Sequence, residues 1–270
     1  MIRADRTDHP DDGLASHETL GFVPTDLLLG RSLDYGRTWD IPPPLTPPLI
    51  GPSFELCAPV TPLSDGRWLL PTSTWRGWDG YCPHGTRMVA FVSRDFGRSW
   101  PTYLDIMHQP GIIFWESKIL ELRDGRLLAV AWAYDESAGQ DLPNQYCVSH
   151  DGGATWTPPA STGLQGQTLT PFLLDDGRIL SVYRRMDVPG LWANLSTLDG
   201  ESWTNDAAEP LWGHHAVGLT GDAENMAQNF NVLRFGAPCI TRLHDGTLFI
   251  AFWCYEDCVA NIRWCKCAVA

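Results

Sequence analysis

The amino-acid sequence predicts an all-β fold, a β-propeller of four-stranded blades. An eight-residue phrase that ends in tryptophan recurs along the chain, and an Asp-Gly turn between two apolar runs recurs between its copies. No segment shows the 3.6-residue apolar period of a helix. Units of about 50 to 60 residues that each supply four strands are the repeat pattern of a propeller.

Length and charge limit the classes of protein that this chain can be. A chain of 270 residues can form one large β domain or two ordinary domains. The formal net charge of −13 argues against nucleic acid and against an anionic membrane as partners, because both bind basic surfaces. These features leave the oligomeric state open.

The recurring phrase has the pattern Ser-x-Asp-x-Gly-x-(Ser or Thr)-Trp. Its three intact copies are "SLDYGRTW" at 32–39, "SRDFGRSW" at 93–100 and "SHDGGATW" at 149–156. A damaged copy, "STLDGESW", occupies 196–203 and has Leu198 in place of the aspartate. We therefore expect the fourth turn to be the loosest.

The Asp-Gly turns define the strands. Each joins two β-rich apolar runs, which is a strong hairpin signal, and its glycine supplies the positive φ that the turn requires. The glycines are Gly66, Gly125, Gly177 and Gly246. Another apolar run and then a copy of the phrase follow each of the first three turns. The predicted order is strand, turn, strand, loop, strand, phrase, strand.

The repeat also predicts the domain organisation. Residues 1–24 form a polar N-terminal segment without an Asp-Gly turn, and residues 25–270 form a single propeller domain. The stretch 204–236 lacks a repeat and is expected to be a long excursion. We count three full blades and two partial ones, with 259–269 as a third strand of the last blade.

The N-terminus carries no signal-peptide pattern, since "MIRADRTDHPDDG" is polar. A cytoplasmic protein is therefore expected, or a secreted one if the true N-terminus is missing. No apolar run reaches the roughly 18 residues that a membrane-spanning helix needs. We expect no cofactor and no metal, because neither a histidine pair at metal-ligand spacing nor a calcium-loop pattern occurs.

The phrase and its register with the Asp-Gly hairpins resemble the Asp box, or BNR repeat, of the sialidase superfamily. The resemblance covers residues 25–270 and implies a propeller that in this family usually has six blades. It also implies that the box is structural: its aspartate accepts backbone N–H bonds, its glycine is left-handed and its tryptophan packs between sheets. The corresponding residues are Asp34, Trp39, Asp95, Trp100, Asp151, Trp156 and Trp203.

The same resemblance gives the first candidate for chemistry. Counting nine residues back from each turn glycine selects Cys57, Glu116, Thr168 and Ala237 as equivalent inner-strand positions. Glu116 in "FWESKILELRDG" matches the family's glutamate, whose role is to polarise a tyrosine nucleophile. The family's arginine falls on Trp132 and its tyrosine on Ala237, so the resemblance implies a divergent member that lacks ordinary sialidase positions.

Other polar and aromatic residues near predicted strand ends complete the candidate set. Asp79, on the loop where the family has its acid/base aspartate, and Glu224, in the long excursion, are candidate catalytic partners of Glu116. Arg184 and Arg185 are predicted to form a fork for a carboxylate or sulfate. The remaining candidate substrate-binding residues are Arg76, Trp78, Trp132, Glu55 and Trp253.

Three functions compete at this point. The leading one is a sialidase-like exo-glycosidase that acts on a carbohydrate substrate, an acidic sugar other than ordinary sialic acid, through two carboxylates. The second is a catalytically silent propeller that binds carbohydrate or protein, since a fold alone does not define function. The third is a polysaccharide lyase.

Overall fold

The computed structural model describes residues 1–216, 218–219, 233–256 and 258–269. Every regular element in these ranges is a β-strand, as the sequence predicts. The chain divides into two compact units, residues 1–117 and residues 118–270. The division falls inside one long strand, and the expectation of a single domain stays a prediction.

The N-terminal unit contains a two-stranded ribbon and one larger sheet. The ribbon pairs β1 (Ile2–Ala4) with β2 (Thr25–Leu27), so a short strand lies within the polar N-terminal segment. The strands of the larger sheet are β3 (Ser53–Glu55), β4 (Thr61–Pro62), β5 (Trp68–Trp75), β6 (Met88–Ser93) and β7 (Thr102–Met107). Their order is β3-β5-β6-β7, and β4 also pairs with β5.

Three antiparallel sheets follow, in sequence order. The first has the order β8-β9-β10-β11 and consists of β8 (Ile112–Glu121), which contains the boundary between the units, β9 (Leu127–Asp135), β10 (Gln140–Ser149) and β11 (Ala160–Ser161). The second consists, in order, of β12 (Gly166–Leu173), β13 (Ile179–Arg185), β14 (Gly190–Asp199) and β15 (Ser202–Trp212). The third consists of β16 (Phe235–Arg242), β17 (Leu248–Glu256) and β18 (Val259–Cys267).

These sheets differ slightly from the predicted blade count. Four sheets of three or more strands are present among the described residues, and the expected first partial blade is only the β1–β2 ribbon. The C-terminal run does form a third strand, β18, antiparallel to β17. Part of the stretch expected to be an excursion is instead strand, because β15 runs to Trp212 and pairs with β14.

Apolar cores lie between the sheets of each unit. In the N-terminal unit, Phe54, Leu70 and Phe91 are buried together. In the C-terminal unit, Val182, Phe235 and Ile250 belong to one buried cluster. Burial of both faces of the strands explains why their sequences are continuous apolar runs and do not alternate with polar residues.

The four Asp-Gly turns have one geometry. Gly66, Gly125, Gly177 and Gly246 all adopt φ between +81° and +88°, as predicted. In each turn the aspartate Oδ1 accepts the N–H of the residue two positions later, at 2.9 to 3.1 Å. The local sequence alone therefore fixes these hairpins.

The three intact boxes also share one hydrogen-bond pattern. Asp34, Asp95 and Asp151 each accept a backbone N–H and the hydroxyl of the Ser or Thr four residues later, at 2.6 to 2.9 Å. The hydroxyl bond is the main cause that lowers the pKa of Asp34 and of Asp151 to about 2, and it lowers the pKa of Asp95 as well. The aspartates are thus committed to their own turns.

Two expectations about the boxes need correction. The damaged fourth copy is not a loosened box: Asp199 pairs with Ser202, which makes a tight hairpin around Gly200. The box tryptophans do not all pack between sheets. Trp100 is 5% exposed, whereas Trp39 is 65% exposed, and Trp156 and Trp203 are half-buried. Trp100 is buried because it belongs to the apolar cluster of the N-terminal unit.

Candidate active site

Three of the four positions that the sequence aligns by offset share an unusual backbone. Glu116, Thr168 and Ala237 have φ of +51°, +55° and +46°, a region that non-glycine residues rarely adopt. The strand pairing shifts register there, between Gln167 and Thr170 and between Gly236 and Cys239. Such strain persists where the surrounding structure imposes it and is frequent at functional sites. The strained position therefore coincides with a β-bulge in β12 and in β16.

Glu116 is the one carboxylate among these strained residues. It lies in β8 and is 9% exposed. Its backbone N–H donates to Oε2 of Glu55 at 3.0 Å, so two carboxylates from different strands meet there. Its Oε1 accepts a bond from Sγ of Cys57 at 3.9 Å. The structure thus brings together two predicted residues, Glu55 and Glu116, and adds a thiol.

Two stacked tryptophans belong to the same strands as this carboxylate pair and its neighbours: Trp115 precedes Glu116 in β8, and Trp75 lies two residues after Ser73 in β5. The rings of Trp75 and Trp115 are parallel within 8°, with their centroids 4.8 Å apart. Trp75 ends β5, and its Nε1 donates to the carbonyl of Leu20 at 2.8 Å. The hydroxyl of Ser73, which pairs with Glu55 across β5 and β3, has no hydrogen-bond partner among the described residues. The site therefore combines buried carboxylates, a buried hydroxyl and aromatic walls.

The loop after β5 carries three more predicted residues. Arg76 is half-buried, and its Nη1 donates to the carbonyl of Thr19 at 3.3 Å. Trp78 is half-buried and stacks on His9 at a centroid distance of 4.1 Å. Asp79 is exposed, and its Oδ1 accepts the N–H of Tyr81 at 3.0 Å. Asp79 thus forms a turn, and its placement as an acid/base residue stays a prediction.

Arg184 and Arg185 do not form the predicted fork. Adjacent residues of a strand point to opposite faces of the sheet. Arg184 is 2% exposed, and it donates to Oε1 of Gln167 at 3.0 and 2.6 Å and to the carbonyl of Phe235 at 2.8 Å. Arg185 binds both carboxylate oxygens of Asp187, at 2.7 and 2.8 Å. Both guanidinium groups are therefore used inside the protein.

Gly236 leaves room for the Arg184 guanidinium to bind the carbonyl of Phe235. A Cβ at Gly236 would lie 2.2 Å from Nη1 of Arg184 and 3.6 Å from Nε1 of Trp253. Trp253 is half-buried in β17, opposite Gly236 in the strand register. The backbone of β16 thus approaches the arginine closely because it has no side chain there.

Trp132 does not have an exposed face for a sugar. It is 1% exposed, and its Nε1 donates to Oδ1 of Asp141 at 2.8 Å. Asp141 also accepts from Nε2 of Gln167 at 3.3 Å. Burial raises the pKa of Asp141, and the bonds from Trp132 and Gln167 oppose that shift. A polar chain, Trp132–Asp141–Gln167–Arg184, thus connects four strands of the C-terminal unit, β9, β10, β12 and β13.

The sequence did not predict three of the residues in the Glu55–Cys57–Glu116 group and in the polar chain from Trp132 to Arg184. Asp141 and Gln167 were not selected, and Cys57 was noted only as an aligned position. The available signal for Asp141 is a carboxylate near the start of a strand that is otherwise mostly buried. Cys57 is an exposed thiol at the offset of Glu116. Glu224, the remaining predicted catalytic residue, lies outside the described residues.

No cluster of three or more histidine, cysteine, aspartate or glutamate side chains suitable for a metal ion occurs in the ranges that the structure describes. Nor does the described chain contain a helix of the length and hydropathy needed to cross a bilayer.

Several solved structures resemble the chain in fold. A protein of unknown function from Dyadobacter fermentans superposes with a TM-score of 0.67 at 20% identity, covering 91% of this chain and 64% of its own. The leech intramolecular trans-sialidase gives 0.64 at 15% identity, over 92% and 37% of the two chains. The NanB sialidase from Streptococcus pneumoniae gives 0.61 at 16% identity, over 86% and 33%.

The chain spans less than two thirds of the length of each of these proteins. Neither a protein-family model nor a curated protein sequence matches it. At such identities the likeness concerns the fold and not the activity. The sheets and these superpositions together show that the chain has a β-propeller fold like that of the sialidases.

Proposed function

We propose that the chain is an exo-glycosidase that hydrolyses a glycosidic bond of an acidic sugar. The observation that carries this proposal is Glu116, a buried carboxylate on a strained backbone whose N–H is held by a second carboxylate, Glu55. Glu116 lies in the middle of β8, and a carboxylate is rarely buried in an apolar strand except in a paired or functional setting.

Glycoside hydrolysis needs two carboxyl groups in different roles. Glu116 is the candidate base, and among the described residues Glu55 is the acid nearest to it in the hydrogen-bond network. Glu55 replaces Asp79 as the preferred partner, because Asp79 is exposed and engaged in a turn. Both acids are also buried, at 8% and 9% exposure, and burial strengthens the electrostatic effect of a charged group.

The preference for an acidic sugar now depends on Arg76. Arg184 is buried on Gln167 and Arg185 is paired with Asp187. Arg76 directly follows Trp75, is half-buried, and donates to the neutral carbonyl of Thr19. Trp78, two residues later, offers part of its ring as an apolar surface. Arg76 is therefore the candidate cation for a sugar carboxylate, which guanidinium groups bind in a forked geometry.

A substrate screen tests the proposal. The purified chain is incubated with chromogenic glycosides of neutral, uronic and nonulosonic sugars, and with acidic polysaccharides. The expected result is release from an acidic glycoside and a fall of about 10²-fold or more in Glu116→Gln with an unchanged melting temperature. The exposed Glu209→Gln in β15 is the matched control and should retain full activity.

Other outcomes identify the competing functions. A product that absorbs in the ultraviolet indicates an unsaturated sugar and hence a lyase. Saturable binding of oligosaccharides without turnover indicates the silent propeller. Full turnover in Glu116→Gln would remove Glu116 from the mechanism.

A further inference from the structure

The Cys57 thiol and the Glu116 carboxylate form a nucleophile–base contact. Cys57 lies in the loop between β3 and β4 and is exposed, whereas Glu116 is buried. The thiol donates to Oε1 of Glu116 at 3.9 Å. A nucleophile within reach of a base is the arrangement of covalent catalysis, and such contacts are often long until substrate binds.

Two backbone features position Cys57 and Glu116 relative to each other. Glu55, two residues before Cys57, accepts the N–H of Glu116, which connects the loop that carries the thiol to the strand that carries the base. Glu116 also has a φ of +51°, a backbone conformation that the surrounding structure must impose. Thr168 and Ala237 have a similar backbone but no ionisable side chain, so Glu116 is the one acid among the three strained positions.

We propose that Cys57 is a nucleophile that Glu116 activates, a role that rests on the proposed glycosidase function. Glu116 accepts the thiol proton while sulfur bonds to the anomeric carbon and the glycosidic C–O bond breaks. Glu55, the candidate acid, gives its proton to the departing oxygen. Water then attacks the same carbon and the C–S bond breaks; the proton of that water goes to Glu55, and Glu116 returns its proton to sulfur. Two displacements give a product with retained configuration.

Alkylation by iodoacetamide tests the thiol without any substrate. The folded full-length chain is treated at neutral pH, and peptide mapping gives the rate at Cys57 and at Cys239 and Cys258, which are also exposed. We expect Cys57 to react about tenfold faster than the two comparison thiols, and we expect Glu116→Gln to remove that advantage. If Glu116→Gln does not fold, Glu116→Asp should show an intermediate rate.

The direction in which Glu116→Gln changes the alkylation rate of Cys57 shows whether Glu116 acts as a base or only lies near the thiol. A carboxylate that only repels the thiolate raises its pKa, so its removal would speed alkylation. Faster labelling in Glu116→Gln, or a Cys57 rate equal to that of Cys239, overturns the proposal.

The two proposals fail in different ways. Hydrolysis that survives Cys57→Ser, while Glu116→Gln is inactive, would keep the glycosidase and reject the thiol nucleophile. Absence of hydrolysis by the native chain would count against the glycosidase, and the alkylation rates would still decide whether Glu116 acts on the thiol. A glycosyl adduct on Cys57, seen by intact mass with a hydrolysed glycoside from the screen, supports both.

Discussion

Oε2 of Glu55 accepts the backbone N–H of Glu116 at 3.0 Å, which joins a residue of β3 to the strained position of β8. Glu55→Ala should leave that buried N–H unpaired and cost about 1–3 kcal/mol of unfolding free energy. Glu55→Gln keeps an oxygen acceptor and should cost less. Urea unfolding of both variants measures the difference. Equal losses would show that the bond does not hold Glu116.

The buried box tryptophan should matter more than the exposed one. Trp100→Ala removes a large buried side chain and should cost about 3–5 kcal/mol. Trp39→Ala, at the same position of the first box, should cost less than about 1 kcal/mol because Trp39 is mostly exposed. Chemical denaturation gives both values. A large loss in Trp39→Ala would contradict this ranking.

Acid should destabilise the boxes. The folded pKa of Asp34 and of Asp151 is lowered to about 2, below the unfolded value near 3.9. Their stabilising contribution is therefore present above pH about 4 and is lost as the pH falls towards 2. The urea midpoint should decline across this window, and it should decline less in Asp151→Asn. An identical profile in Asp151→Asn would argue against the box as the titrating element.

Arg184 should behave as a structural brace. Arg184→Lys loses the paired bonds to Gln167 and leaves a buried ammonium group, so unfolding free energy should fall by about 1–3 kcal/mol. Arg185→Lys is the control on the opposite face and should cost under about 1 kcal/mol. If Arg184→Lys kept full stability and instead weakened binding of an acidic sugar, the result would support the prediction that Arg184 binds a carboxylate of the ligand.

The strained backbone can be tested at Ala237, which is exposed. Ala237→Gly removes the steric cost of φ +46°, so unfolding free energy should rise by about 1 kcal/mol. Ala207→Gly, on the exposed face of β15, should instead lower it by about 0.5–1 kcal/mol. Thermal or urea unfolding distinguishes the two signs. A loss at Ala237 as large as that at Ala207 would mean that the position stores no strain.

The sequence by itself determined the features that depend on local chemistry. The Asp-Gly turns and the Ser-x-Asp boxes need only neighbouring residues to satisfy their hydrogen bonds, so both have the expected geometry wherever the pattern is intact. Counting from the turn glycine also aligned Glu116, Thr168 and Ala237, and these residues share a positive φ. A fixed turn followed by strands of fixed period keeps such offsets constant from one sheet to the next.

Only the tertiary structure decided the partners of the candidate residues. Glu55 and Cys57 meet Glu116 across about sixty residues, with sequence separations of 61 and 59. Gln167 holds Arg184 because two neighbouring strands place them opposite each other, and Trp39 and Trp100 differ in burial although their boxes read alike. Contacts of this kind depend on which strand ends and sheet faces come together, and a repeated local pattern contains no information about that.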